Sequence, residues 1–336
     1  MNKTLTRVGI LLAVSGLMFG VLWYRYRTQL KLNTPLERIT VQLKWLHQSQ
    51  FAGHYVADKK GWYKDAGMEV QLLPFDYTHL PIEEVLKGNA QFGVTGADEI
   101  LIAREKGKPV IALAVIYQEN PVVAYALTSS GISKPVDLIG KTIGMESGIN
   151  VETIIHAMLS AQGIDWKKSL KEVPIGYDAD PLIKKQVDVA TGYVTNEPIL
   201  AEEAGHSVTI IAPHQYGVKL YADVLFTTEE MIAKRPELVR AFVTTTLRGW
   251  EYALDHVDES VSYTLQYPDP NNKALNTLHQ TALLTRSIPY IKPSTGQPVG
   301  QMTFVEWKKT HTLLKEYGVL TQNQDITKVF TTDFLR

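Results

Sequence analysis

At 336 residues the chain exceeds the size at which one hydrophobic core ordinarily stops growing, so two cores are expected. Its 45% hydrophobic and 21% charged residues are those of an ordinary globular protein, and a formal net charge of -1 gives nucleic acid nothing to hold. The absence of cysteine excludes disulfides, thiolate metal sites, a cysteine nucleophile and an acylated N-terminal cysteine.

Lys3 and Arg7 precede an uncharged, largely apolar run from Val8 to Trp23, after which Tyr24-Arg25-Tyr26-Arg27 restores charge. The run falls just short of the ~17–25 residues that a helical span uses, and interfacial tyrosines extend it. It ends in Leu22-Trp23-Tyr24-Arg25 rather than in the small residues of a cleavage site. Residues 1–27 are therefore expected to be an uncleaved signal anchor and 28–37 a linker, with a cleaved signal and a buried helix as alternatives. Positive charge on both flanks leaves the orientation open.

An α/β pattern follows. Ile39 to Leu43 alternates like a strand, and Phe51 to Lys60 reads as a helix stopped by Gly61. Val70 to Leu73 is a second strand, and Pro81 opens a short helix through Leu86 that Gly88 ends. Phe92 to Thr95 is a third strand, Glu99 to Glu105 a helix and Val110 to Ile116 an apolar strand. The pattern then restarts with a strand at Lys141 to Gly144 and a helix whose face carries Val151, Ile154, Ile155, Met158 and Leu159. Val187 to Gly192 and Val208 to Ile211 are strands around a helix at Ile199 to Ala204, and from Thr228 onward the chain is helical. Strands alternating with helices predict largely parallel sheets in two lobes with a cleft between them, where small ligands bind at strand carboxyl ends.

Gln42-Leu43-Lys44-Trp45-Leu46-His47-Gln48-Ser49-Gln50-Phe51-Ala52-Gly53-His54-Tyr55 resembles the opening of the NMT1/THI5-like solute-binding family. So, in family order, do Lys60 to Val70, Gly93 to Asp98, Asp137 to Gly144, Tyr193 to Pro198 and Tyr221 to Thr227. The resemblance implies the type II periplasmic binding-protein fold, with lobe 1 at 38–127 plus 221–336, lobe 2 at 128–220 and a hinge near Leu127 and Tyr221. With the apolar run as tether through residues 8–23, the chain is expected to be a monomer on the periplasmic or extracytoplasmic face of the inner membrane. Members bind thiamine pyrimidine precursors, riboflavin or sulfonates for an ABC permease and its ATPase. Similar modules serve as sensing ectodomains of membrane signalling proteins. A divergent branch is the thiamine-pyrimidine synthase, which consumes its own histidine and bound pyridoxal phosphate. Here Thr95 stands at the position of that enzyme's aldimine lysine and Glu99 at its histidine, and its cysteine cluster is absent. A threonine hydroxyl cannot form a Schiff base, so neither catalysis nor a cofactor is expected.

Candidate ligand contacts recur at successive strand ends. Trp45, His47 and Gln50 follow the first strand, Phe75 and Tyr77 the second, Thr95 and Asp98 the third, Tyr117 and Glu119 the fourth. An aromatic there offers a stacking surface for a flat heterocycle, with simple core burial of Trp45 as the alternative. In lobe 2, Glu146, Ser147 and Asn150 lie where a strand meets a helix N-terminus, and Tyr193, Asn196 and Glu197 at another strand end. Asp98, Glu119, Glu146, Glu197 and Asp223 predict a cleft with excess acid, suited to an amino-heterocycle or cation rather than a sulfonate. His47 and His54 are seven apart but have no third ligand, so no metal is expected.

Overall fold

The computed structural model describes residues 35–146, 151–176, 178–292 and 296–335. The apolar run from Val8 to Trp23, and with it the expected anchor, lies outside them. So do Ser147 and Asn150. Among the described residues no helix is long and apolar enough to cross a membrane.

Two five-stranded sheets organise the chain. The first runs β2 (Met68–Leu73), β1 (Glu37–Gln42), β3 (Phe92–Thr95), β10 (Ala222–Thr228), β4 (Val110–Tyr117). The second runs β7 (Lys171–Ile175), β6 (Thr142–Glu146), β8 (Val189–Tyr193), β5 (Val122–Leu127), β9 (Val208–Ile211). In each sheet four strands point one way and a single antiparallel strand lies between the last two. That strand, β10 or β5, is the one on which the chain arrives from the other sheet. The expected parallel sheets are thus each interrupted once.

The first crossing falls between Tyr117 and Val122, ahead of the position near Leu127, because β5 hydrogen-bonds to β8 and β9 of the second sheet. The return crossing lies between Ile211 and Ala222. Nearly every residue of β5 and β10 is buried, so neither shows the alternation that marks a half-exposed strand. β7 is an edge strand with Pro174 inside it, which edge pairing tolerates and which hides it from propensity reading.

Helices cover both faces. α1 (Ala52–Lys59) packs against the long α6 (Pro236–Asp255), and their backbones nearly touch. A Cβ on Gly249 would lie 2.0 Å from the Gly53 carbonyl oxygen, and one on Gly53 would lie 2.2 Å from the Trp250 ring. This crossing holds down α1 and the loop before it, which carries Lys44 to Gln50. The buried stripe of Val239, Phe242, Val243, Leu247 and Trp250 on α6 joins Tyr55 and Tyr63 in one core. A second core on the other face of the first sheet gathers Leu101, Phe226 and Trp307, and two more flank the second sheet. Near the C-terminus, Leu313 packs against cores of both halves.

Candidate functional site

The site forms where the carboxyl ends of β1, β6 and β8 meet the start of β10. Strands β1 and β2 continue side by side past their ends: Leu43 N bonds to Leu73 O at 2.9 Å and Phe75 N to Trp45 O at 3.1 Å. The Gln42 amide adds a bond to Pro74 O at 3.0 Å. Trp45 and Phe75 therefore stack, with ring centroids 6.5 Å apart and planes 10° from parallel.

Lys44, next to Trp45, is 3% exposed. Its ammonium donates to the Tyr193 hydroxyl at 2.9 Å and lies 3.4 Å from Asp223 Oδ1. Tyr193 in turn donates to Asp223 Oδ1 at 3.1 Å. Gln50 Nε2 donates to Asp223 Oδ2 at 2.7 Å, and Gln48 Nε2 to Gln50 Oε1 at 2.8 Å. Asp223 is held at φ 48, a left-handed conformation that aspartate tolerates better than most residues. Burial raises its carboxyl pKa, against Lys44, Gln50 and Tyr193, which favour the charged form. This chain ties the first half to the second.

In the second half, Glu197 opens helix α5 (Glu197–Glu203) and folds back onto β8. Its carboxylate accepts from Tyr193 N at 2.7 Å and from the Asn196 side-chain amide. Gly192 makes room, since a Cβ there would lie 2.4 Å from Glu197 Oε2. Burial pushes the Glu197 carboxyl up to about 7 despite those bonds. Glu146, at the end of β6 and 2% exposed, is also raised by burial and by Glu197, with Lys44 opposing. Its Oε1 is buried with no hydrogen-bond partner among the described residues. An orphaned carboxylate oxygen in the interior costs free energy until a donor meets it.

These groups enclose a central cavity of about 10 Å³, lined by Lys44, Trp45, Gln48, Gln50, Glu146, Tyr193, Asn196 and Glu197. It has room for one small polar group. Trp45, Gln48 and Asn196 also line a wider groove of about 560 Å³ running outward between the halves. A separate groove of about 260 Å³ lies beside Thr95, Asp98 and Glu99, with Thr153 of the second half across it. Beside the central cavity, His279 on α8 (Thr277–Ile291) bridges the halves. Its Nε2 lies 2.8 Å from Asn196 Oδ1 and its Nδ1 3.0 Å from Glu203 Oε2.

The structure brings together Trp45, Gln50, Glu146, Tyr193, Asn196, Glu197 and Asp223; of the other expected residues it describes His47, Phe75, Tyr77, Thr95, Asp98, Tyr117 and Glu119, which lie elsewhere. His47 lines none of these cavities: its backbone bonds to Asp269 at 2.9 Å and its ring meets the Tyr55 hydroxyl at 2.9 Å, so it belongs to the core of the first half. Burial holds its pKa at about 4. Phe75 backs Trp45, and Tyr77 is exposed beyond it at φ 65. Thr95 and Asp98 line the separate groove, where Thr95 donates to Glu99. Tyr117 is buried and donates to Ser287 at 2.9 Å, while Glu119 pairs with His214 at 3.3 Å. The acid excess is therefore three carboxylates, Glu146, Glu197 and Asp223, around one buried ammonium. Sequence reading passed over Lys44, although a lysine between Leu43 and Trp45 at a strand end signals a paired, buried charge. Gln48 and His279 were missed too. Among the described residues no three histidines or acids gather as metal ligands.

Comparison with known proteins fits this architecture. The riboflavin-binding protein RibY of Chloroflexus aurantiacus is 28% identical over 89% of this chain and 86% of its own length. A formylaminopyrimidine-binding protein of Halalkalibacterium halodurans is 26% identical over 85% of this chain and 87% of its own. The 4-amino-5-hydroxymethyl-2-methylpyrimidine phosphate synthase of Legionella pneumophila is 26% identical over 89% and 92%. Relatives thus include both binding proteins and synthases. Among solved structures, the alkanesulfonate-binding protein SsuA of Xanthomonas axonopodis pv. citri, bound to MOPS, superposes with a TM-score of 0.67 at 13% identity, covering 89% of this chain and 99% of that one. The putative sulfonate-binding SsuA of Methylobacillus flagellatus gives 0.63 at 18% identity, covering 89% and 93%. The chain shares the fold of these periplasmic binding proteins. A family model described as NMT1/THI5 like matches residues 48–260, from the Gln48 loop through the whole second sheet to α6, and the chain belongs to the NMT1/THI5-like family.

Proposed function

We propose that the protein is an extracytoplasmic solute-binding protein that captures a small N–H-bearing heterocycle between its halves for ABC-type uptake. The observation that carries this reading is Glu146 Oε1, a buried acceptor with no partner among the described residues, at a cavity sized for one polar group. An amine or imide N–H of the solute satisfies it, while the flat ring extends along Trp45 into the wider groove. The names of two relatives, riboflavin-binding and formylaminopyrimidine-binding, support this class of ligand. A sulfonate fits poorly, because three carboxylates surround the centre and the one ammonium is already engaged by Asp223.

The halves are taken to close by a hinge in the two crossings, with ligand favouring the closed state through contacts from both sides. The run Val8 to Trp23 is taken as the tether and an ABC permease with its ATPase as the partner. The protein is read as a receptor without chemistry of its own: Thr95 and Glu99, at the positions of the synthase's lysine and histidine, bond to each other.

Thermal unfolding of the full-length chain with riboflavin, 4-amino-5-hydroxymethyl-2-methylpyrimidine or an alkanesulfonate tests the reading. A ligand at 100 times its Kd adds about 2.7 kcal/mol. One of the two heterocycles should raise the midpoint, and Glu146→Gln should abolish the rise. A response to the sulfonate alone would overturn it.

A further inference from the structure

His279 sits between two oxygens, and that arrangement is short of a proton. Its ring is fully buried, with Nδ1 3.0 Å from Glu203 Oε2 and Nε2 2.8 Å from Asn196 Oδ1. A neutral imidazole carries one N–H, so it donates to one of these oxygens and turns a lone pair on the other. Turning the Asn196 amide over only moves the conflict. Its NH2 group donates to Glu197 Oε1, and after the turn Oδ1 would face that carboxylate instead. The row Glu203, His279, Asn196, Glu197 thus has three contacts but only two groups that donate, as long as both carboxyls are ionised and the imidazole is neutral.

One added proton completes the row in either of two ways. On His279 it gives an imidazolium that donates at both nitrogens. On Glu197 it gives a carboxylic acid that donates to Asn196 Oδ1, while the turned amide donates to His279 Nε2 and His279 Nδ1 to Glu203. The second arrangement buries one charge where the first buries three, and burial penalises each of them. Burial lowers the His279 pKa, with Glu203 opposing, and pushes the Glu197 carboxyl up to about 7.

The surrounding charges act in the same sense. Arg286 on α8 pairs with Glu202 at 2.6 Å and works against a charged His279. The other elements packed on α8 bring uncharged groups: Ser49 and Gln50, Ser260 and Thr264 of α7 (Val257–Thr264), and Tyr117 of β4, bonded to Ser287. Near Glu197 stand Tyr193 of β8, Tyr125 of β5 and Glu146 of β6, the last within reach of Lys44. A second carboxylate beside Glu197 favours its protonated form.

We propose that this row is a proton-operated clasp: with Glu197 protonated it ties α8 of the first half to α5 of the second, and loss of that proton lets the halves part. The inference adds a control on closure to the reading above and rests on its hinge, not on its solute. A solute held between the halves is released more readily as pH rises.

The test needs no solute. The sequence has no cysteine, so Asn271→Cys and Lys184→Cys place one nitroxide label on each half. Asn271 lies on the wall of the wider groove, and Lys184 pairs with Asp180 of the opposite wall. Label distances are read by pulsed electron paramagnetic resonance on the full-length chain at pH 5.5 and pH 8.5. The short distance should dominate at the lower value, and its share should fall about fivefold or more at the higher one. Glu197→Gln should keep the short distance at both, because its amide accepts from Tyr193 N and donates to Asn196 without a titrating proton. Misfolding cannot mimic that gain. Asn196→Ala should be open at both values, and Glu146→Gln should still open, at a lower midpoint. A parent indifferent to pH, or a Glu197→Gln variant that opens as the parent does, would overturn the clasp. So would a Glu146→Gln variant blind to pH, which would put the proton on Glu146. A distance that stays fixed in every variant would overturn the clasp and the hinge together, while the thermal shifts with the heterocycles decide the solute reading separately.

Discussion

The Lys44 ammonium and the Tyr193 hydroxyl meet at 2.9 Å across the boundary between the two halves, deep enough that both side chains are out of water. Removing the charge leaves Asp223 buried with a carboxylate that only Gln50 and Tyr193 satisfy. Breaking one side of such a pair costs about 3–5 kcal/mol. Lys44→Met should lower stability by that order in urea unfolding. Asp223→Asn in the same chain should recover much of it, because the uncompensated charge goes too. A loss that the second substitution leaves untouched would show that packing, rather than charge, holds this junction.

Gly192 should tolerate no side chain. A methyl group there meets Glu197 Oε2 at 2.4 Å, so the carboxylate must leave its bond to Tyr193 N. Gly192→Ala should cost about 1–3 kcal/mol. In a Gly192→Ala/Glu197→Ala pair the losses should be far from additive, since both act on the same contact.

The Glu197 carboxyl, pushed up to about 7 by burial, links stability to pH. Between its ordinary value near 4.5 and about 7 the folded chain binds a proton that the unfolded chain has released. Stability from this group is therefore present at low pH and lost as pH rises through about 7, by up to about 3 kcal/mol. His47 and His54, buried neutral with pKa values of about 4 and about 3, pull the other way below about 6.5. The difference between parent and Glu197→Gln reports this carboxyl together with its coupling to Glu146 and cancels the histidines. Urea midpoints at pH 5 and pH 8 should show the parent losing more stability than the variant over that interval.

His279 should act on how long a bound solute stays. It joins the first half to Asn196 and Glu203 beside the cavity, and hydrogen bonds to charged groups contribute about 1.5–3 kcal/mol. His279→Leu should speed dissociation of riboflavin about tenfold or more in stopped flow, with a smaller change in the association rate. An unchanged off-rate would remove the latch from the mechanism.

Local chemistry made part of this readable beforehand. Pro81 at a helix start, Gly88 beyond its end and the short apolar runs at Phe92–Thr95 and Val208–Ile211 have their signals within a few residues, and these elements lie where expected. β5 and β10 did not stand out: both lie at the crossings between the sheets, outside the strand–helix alternation, and β10 carries Asp223 and two threonines among its apolar residues. The cluster around Asp223 was visible only in pieces. Lys44 and Tyr193 are 149 residues apart, and which acids converge on them depends on how the two sheets sit together. His279 lies in a helix whose pattern reports burial but not what it is buried against.

The single reversed strand in each sheet also bears on how the molecule can move. β5 and β10 are each clamped between two neighbours, so neither can slide without breaking a full ladder on both sides. The chain passes between the halves only twice, at 118–121 and 212–221, and side-chain contacts of Leu313 and His279 add further ties across the boundary. Gln118 and Glu119 are further moored to the Tyr290 carbonyl at 2.8 and 3.3 Å, which stiffens the first crossing. The hinge proposed above would then have one degree of freedom, and the proposed solute at Glu146 would lie between the surfaces that it parts.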